Sequence, residues 1–473
     1  MTPVAAFRGT RTAEAPLTWG QQGIWKIIDV MAPNDAFLNV RAVVPVPQRA
    51  AGTVDSVAAA IGALISRHES LRTRIVVTGG EPRQVVVDAG ECPLALIEAT
   101  AETAADVAEQ AMERLRHHPF DYAGELPIRV TLVVADGQVR FVVLILTHVA
   151  VDWYALTLLG RELRVALLRG EITGPVGIQP VDLAATEHSE AGQQRSARAR
   201  DHWRRQFDRF PASVFTEAGP PATPRYRRAE LTSPALLAAA RIIAARHSAT
   251  SSTVLLAAAG ALIGARTGQE VCGMLTIVNN RFQPGHRDIM APTNQLGVIT
   301  LDRRGAATFG ELVTAVWREA LQCFRHAYYD QHVLDAFLAD GGHAHGEKIE
   351  PYCCFNDMRA GDGELRDTAT ADQLRAALQE TELTWPETFD EFNWQFMLSV
   401  SDAPGALSLS LSTDSRYLPP VEQQRFLLDL EDLVVRSAID DVRLGDPGAH
   451  HNDPGAHHGA PDAHHVALDG RAS

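Results

Sequence analysis

His148 and Asp152 lie in the segment Leu144-Ile-Leu-Thr-His-Val-Ala-Val-Asp-Trp153, and their types and spacing suit proton-transfer chemistry. An imidazole titrates near neutral pH and so serves as a general base. A carboxylate four residues on can orient that imidazole or anchor the turn that carries it. Taken alone, the pair reads equally as a satisfied histidine at a strand end. The flanking elements locate it. Residues 139–146 form a short apolar run rich in β-branched side chains, the length of a buried strand, and residues 154–163 place apolar side chains at helical spacing. His148 and Asp152 therefore belong to a strand-to-helix junction, where such folds expose reactive groups.

The 473 residues give room for two or three domains, and 46% apolar with 21% charged residues is an ordinary globular composition. A formal net charge of −15 argues against nucleic acid or an anionic membrane as the main partner. No apolar run approaches the roughly 18 residues of a membrane helix, and residues 1–8 lack a signal-peptide core. A cytoplasmic location is the expectation. Cys92, Cys272, Cys323, Cys353 and Cys354 are odd in number and without CxxC spacing, so reduced thiols are expected and a zinc site is not. With no GxSxG elbow, P-loop or dinucleotide fingerprint, no bound cofactor is expected.

Residues 1–15 read as a flexible N-terminus. A first α/β region follows to residue 178, with a strand signal over 39–46, a helix signal over 54–66 and a Gly/Pro-rich exit over 170–177. The second region, 179–443, repeats the mixture: a buried helix over 252–264, a strand over 271–278 and a closing amphipathic helix over 420–438. Residues 444–473 collapse to Asp, Pro, Gly, Ala and His with a recurring Ala-His-His. Such a segment cannot bury enough apolar area to offset its ordering entropy, so disorder is expected, with no metal role for the histidines. Arg195, Arg198, Arg200, Arg204 and Arg205 form a candidate basic cluster, against the plainer reading of a solvated helix face.

Several blocks resemble the condensation domains of nonribosomal peptide synthetases, in the superfamily of chloramphenicol acetyltransferase. Leu17-Thr-Trp-Gly-Gln-Gln-Gly-Ile-Trp25 resembles the opening motif, and Arg67-His-Glu-Ser-Leu-Arg-Thr73 is nearly a copy of the second. Pro119-Phe-Asp121 with Leu126-Pro-Ile-Arg-Val130 resembles the approach to the central strand. Thr147-His-Val-Ala-Val-Asp-Trp153 stands in the place of HHxxxDG, and residues 255–281 resemble the helix, strand and arginine that follow. Met290-Ala-Pro-Thr-Asn-Gln-Leu-Gly297 falls where the family carries an Asn-Thr block. The resemblance covers about residues 16–440.

It implies an α/β (α+β) fold of two chloramphenicol-acetyltransferase-like lobes, 16–178 and 179–443, in a V-shaped pseudo-dimer. The implied chemistry is transfer of an acyl or aminoacyl group from a carrier-protein 4'-phosphopantetheine thioester to an amine or hydroxyl, in natural-product biosynthesis. On the resemblance His148 is catalytic, Asp152 pairs with Arg281 as a structural salt bridge, and Thr147, Trp153 and Asn294 are candidate site-lining residues. Arg67, His68, Glu69 and Arg72 read as structural anchors. With no adenylation region or carrier motif in sight, the expected partner is an acyl or peptidyl carrier protein in trans, and the acceptor a small molecule or a second carrier-bound group. Two departures, Thr147 for the first histidine and Trp153 for the glycine, keep two alternatives open. One is a degenerate fold that recruits a carrier or tailoring enzyme without chemistry. The other is an acyltransferase for a small diffusible alcohol or amine, its acceptor side narrowed by the Trp153 indole.

Overall fold

A computed structural model describes residues 2–445, apart from 212, 216–218, 341–352, 360, 362–367 and 393. The first half carries β1 (Val4–Arg8), β2 (Ala13–Pro16), β3 (Val40–Pro45), β4 (Thr73–Thr78), β5 (Glu81–Val86), β6 (Ala89–Glu98), β7 (Ile128–Ala135) and β8 (Gln138–Leu146). They form a five-stranded sheet in the order β1-β6-β7-β8-β3 and a three-stranded sheet, β2-β5-β4. Helices α1 (Trp19–Met31), α2 (Val54–Arg67), α3 (Ala104–Leu115) and α4 (Trp153–Arg169) pack with these sheets, and α5 (Pro180–Glu187) and α6 (Glu190–Phe207) follow.

Strand β8 leads to His148, and successive side chains in a strand face opposite ways. Val142, Leu144 and Leu146 join the core under α2 and α4, while Val143 joins a smaller core with Ala104, Ala108 and Ala111 of α3. Covered on both faces, the part of the strand nearest His148, residues 141–146, is apolar at every position rather than alternating.

The second half carries β9 (Tyr226–Ser233), β10 (Val271–Val278), β11 (Gln295–Asp302), β12 (Cys353–Asp357), β13 (Glu382–Phe389), β14 (Phe396–Ala403) and β15 (Ala406–Asp414). They make one seven-stranded sheet, β11-β10-β12-β14-β15-β9-β13. Helices α7 (Pro234–His247), α8 (Ser251–Thr267), α9 (Phe309–His326) and, after α10 (Gln331–Ala339) and α11 (Ala371–Ala377), α12 (Pro420–Ile439) bury their apolar sides in its main core. On the opposite face, Ala199, Trp203 and Phe207 of α6 meet Leu275 and Val298. Among the described residues no single helix is long and apolar enough to cross a membrane.

The halves interlock. Gly20 in α1 backs onto the loop between β10 and β11, and a Cβ there would lie 2.2 Å from the Pro292 carbonyl oxygen. Met290 of that loop is buried in the first half's core, and Ile289 and Ala291 pack with Leu183 of α5.

Residues 1–15 are not loose. β1 runs antiparallel to β6 with Ala5 opposite Cys92, and β2 pairs with β5. Ala5 and Phe7 are buried while Val4, Ala6 and Arg8 face outward, the two-residue period of an edge strand. The expected disordered tail lies outside the described residues from 446 onward.

Candidate active site

The β8–α4 junction is built by backbone hydrogen bonds. Thr147 N–H donates to the Pro127 carbonyl at 3.0 Å, and the Thr147 carbonyl accepts from Ala150 N at 3.0 Å and Val151 N at 3.3 Å. Gln21 of α1 donates through Nε2 to the Val149 carbonyl at 3.3 Å, so the opening motif steadies the same turn. His148 is half-buried, with Nδ1 3.0 Å from the Val151 carbonyl oxygen. A carbonyl only accepts, so Nδ1 carries the proton and Nε2 presents its lone pair. Nε2 makes no hydrogen bond among the described residues, which leaves a fixed imidazole with one basic nitrogen available.

Asp152 caps α4: its Oδ1 accepts from Ala155 N at 2.7 Å, satisfying a donor the helix leaves open. The same oxygen receives Arg281 Nη2 at 2.6 Å, while Oδ2 receives Thr293 N at 3.1 Å. Asp152 and Arg281 are 4% and 7% exposed. Arg281 is held further by the carbonyls of Ile289 at 2.5 Å, Ala291 at 2.8 Å and His286 at 3.3 Å, and it lies 4.8 Å over the Tyr154 ring. Asp152 thus joins the turn bearing His148 to the β10–β11 loop of the other half. Spacing along the chain does not point to Thr293 or Tyr154, although Thr293 lies within one block that the resemblance singles out and Tyr154 directly follows another.

The remaining candidates divide. Thr147 is buried, and its hydroxyl has no hydrogen-bond partner among the described residues. Asn294 is half-buried beside Thr293, with Oδ1 buried and unpartnered. Trp153 corrects an expectation: its side chain is 62% exposed and the turn is intact, so the indole stands in solvent. It does so because α4 begins at Trp153, which shares the exposed side of the helix with Thr157 and Arg161, away from the buried Ala155 and Leu159. The basic cluster is also not one surface. At 100° per residue Arg198 and Arg205 share one side of α6 and Arg200 and Arg204 another, and Arg200 pairs with Asp201. In the second motif, His68 Nε2 is 2.5 Å and Arg67 3.4 Å from Glu162 of α4, and Glu69 holds Arg11 at 2.7 Å. Those residues tie elements together.

A second polar group was not legible as a site. Glu187, at the end of α5, accepts from Trp19 N at 2.9 Å and from the Tyr328 hydroxyl. Burial pushes its carboxyl up to about 8 against those two bonds, and burial lowers the His286 imidazole nearby to about 4. The described residues hold no group of three or more His, Cys, Asp or Glu side chains able to bind a metal.

Comparison with known proteins gives matches over most of the chain. A family model described as "Condensation domain" matches residues 11–415. The isonitrile lipopeptide synthase of Mycobacterium tuberculosis is 25% identical over 80% of this chain and 16% of its own length. The phosphinothricin tripeptide synthetase PhsC of Streptomyces viridochromogenes is 28% identical over 66% of this chain and 30% of its own. The chain spans less than a third of the length of these curated relatives. Among solved structures, the condensation domain from the monacolin K polyketide synthase MokA superposes with a TM-score of 0.69 at 18% identity, covering 91% of this chain and 99% of that one. The X-domain from teicoplanin biosynthesis, solved in complex with OxyB, superposes with a TM-score of 0.65 at 17% identity, covering 94% and 98%. These two likenesses establish the two-lobed fold.

Proposed function

The chain belongs to the condensation-domain family, and on that premise we propose that it transfers an acyl or aminoacyl group from a carrier-protein phosphopantetheine thioester to an amine or hydroxyl, with His148 as the base. The observation that carries this reading is the fixed tautomer. With Nδ1–H committed to the Val151 carbonyl, Nε2 accepts the proton of the incoming nucleophile. The nucleophile's lone pair attacks the thioester carbonyl, the C–S bond breaks, and the departing thiolate takes a proton back from His148. Asp152 does not touch the reacting atoms in this account. It is a positioning residue that holds the turn through the α4 cap and Arg281. The test is an acylated carrier protein mixed with this chain and candidate amines and alcohols, followed by intact-protein mass spectrometry. Loss of the acyl mass from the carrier, dependent on acceptor and on this chain, supports the reading, and an unchanged acyl-carrier across the acceptor set counts against it.

A second reading rests on Trp153. An exposed indole beside the Asp152–Arg281 contact suits a protein interface, and the similar X-domain was solved in complex with OxyB. On this reading the chain recruits a partner without chemistry. Its mark is a partner complex that survives His148→Ala and is lost in Trp153→Ala. The small-acceptor alternative loses its ground, because an indole in solvent does not narrow an acceptor channel.

A further inference from the structure

The loop that delivers Arg281 to Asp152 also borders a cavity. His286, whose carbonyl holds Arg281, lines a space of about 230 Å3 together with Trp19, Leu183, Glu187, Tyr328 and Arg195. Neither His148 nor Asp152 lines it. Trp19, Leu183, Glu187, His286 and Tyr328 are each more than nine-tenths buried, and Arg195 is half-buried.

The polar groups here are unevenly satisfied. Both oxygens of Glu187 are bonded, to Trp19 N and to the Tyr328 hydroxyl. Trp19 Nε1 and His286 Nδ1 are buried without a hydrogen-bond partner, whereas buried polar atoms are paired in the great majority of cases. Indole N–H only donates. Burial holds the His286 imidazole neutral, with one N–H and one lone pair, so Nδ1 accepts from a bound group when the proton sits on Nε2. Arg195 reaches the Gln283 side chain at 3.3 Å and lies 5.6 Å from the Tyr328 ring, with no salt bridge among the described residues. The cavity therefore offers a donor, a cation and an acceptor beside the apolar surfaces of Leu183, Trp19 and Tyr328.

We propose that this cavity is a second binding site, for a small carboxylate that carries an apolar ring and a hydroxyl or amide donor. The carboxylate meets Arg195 and Trp19 Nε1–H, the donor meets His286 Nδ1, and the ring lies against Leu183 and Tyr328. An apolar cavity of about 150 Å3 holds a benzene molecule, so this one admits a ring with a short polar tail. Glu187, pushed up to about 8, stays protonated at neutral pH and does not repel the anion. The site goes beyond the acyl-transfer reading and stands without it.

Calorimetric titration of the full chain with 3-phenyllactate, 3-phenylpropionate and 3-phenylpropanol tests the assignment. Phenyllactate is expected to bind saturably at a single site. Phenylpropionate, lacking the hydroxyl, binds more weakly, and phenylpropanol, lacking the charge, weaker still by about tenfold or more. Arg195→Met on the rim should erase the preference for acid over alcohol, and Leu183→Trp should block all three. Should Leu183→Trp fail to fold, Arg195→Met still decides. Binding should also weaken above about pH 8, as Glu187 ionises among Tyr328, Asp330, Arg195 and His286. Absence of saturable binding by all three compounds at millimolar concentration overturns the proposal. So does equal affinity for acid and alcohol, or an Arg195→Met protein that keeps the preference.

Discussion

Asp152 accepts a helix N–H, a guanidinium and a backbone N–H from the other half, all out of water. Removing one partner of such a buried pair leaves the other charge without compensation. Asp152→Ala is therefore expected to lower unfolding free energy by about 3–5 kcal/mol, read from urea denaturation midpoints, and transfer should fall with it. Unchanged melting with lost turnover would make Asp152 a participant in the chemistry rather than a positioning residue. Glu187 makes a prediction of opposite kind. Its carboxyl is raised from an ordinary 4.5 to about 8 in the folded chain, chiefly by burial. Below 4.5 both folded and unfolded chains are protonated. Between 4.5 and 8 only the unfolded chain releases the proton, so this group's contribution is fully present at low pH and is lost as pH rises to about 8. Glu187→Gln mimics the neutral group and should flatten that slope. Denaturation midpoints compared near pH 5 and near pH 9 give the answer, and parallel profiles would show that Glu187 is not held protonated.

At the scale of elements, the approach of α1 to the β10–β11 loop sets how closely the halves meet. Gly20→Ala places a methyl 2.2 Å from the Pro292 carbonyl, which backbone must move to accommodate. A loss of about 1–3 kcal/mol is expected, with transfer reduced because Thr293 and Arg281 lie on the displaced loop. An alanine protein of wild-type stability would mean that the halves separate without cost. Elements with long apolar runs were legible: β10 covers residues 271–278 as read, and α8 extends the expected 252–264 only to Ser251–Thr267. The N-terminal strands were not, because five and four residues are too few for a period to stand out. Their partners, β6 and β5, lie some 70 residues or more along the chain.

At the scale of the whole molecule, spacing located His148 at a strand-to-helix junction, whereas its surroundings come from distant sequence. Asp152 and Arg281 are 129 residues apart, Glu187 and Tyr328 141, and Trp19 and Glu187 168. No local pattern encodes such pairs. The family resemblance supplied the first, and only the folded chain revealed the others. Residue type also does not fix direction, which is why Trp153 stands in solvent and five nearby arginines divide between faces of one helix. The proposed transfer depends on one nitrogen, His148 Nε2, acting as the base. Single-turnover acyl transfer by His148→Ala against wild type tests it most directly, with circular dichroism to establish folding and Thr147→Val as the neighbouring control. A fall of about 10²–10⁴-fold is expected for His148→Ala. Thr147→Val removes no hydrogen bond seen among the described residues and should transfer close to the wild-type rate. A folded His148→Ala protein that transfers at the wild-type rate would contradict the claim.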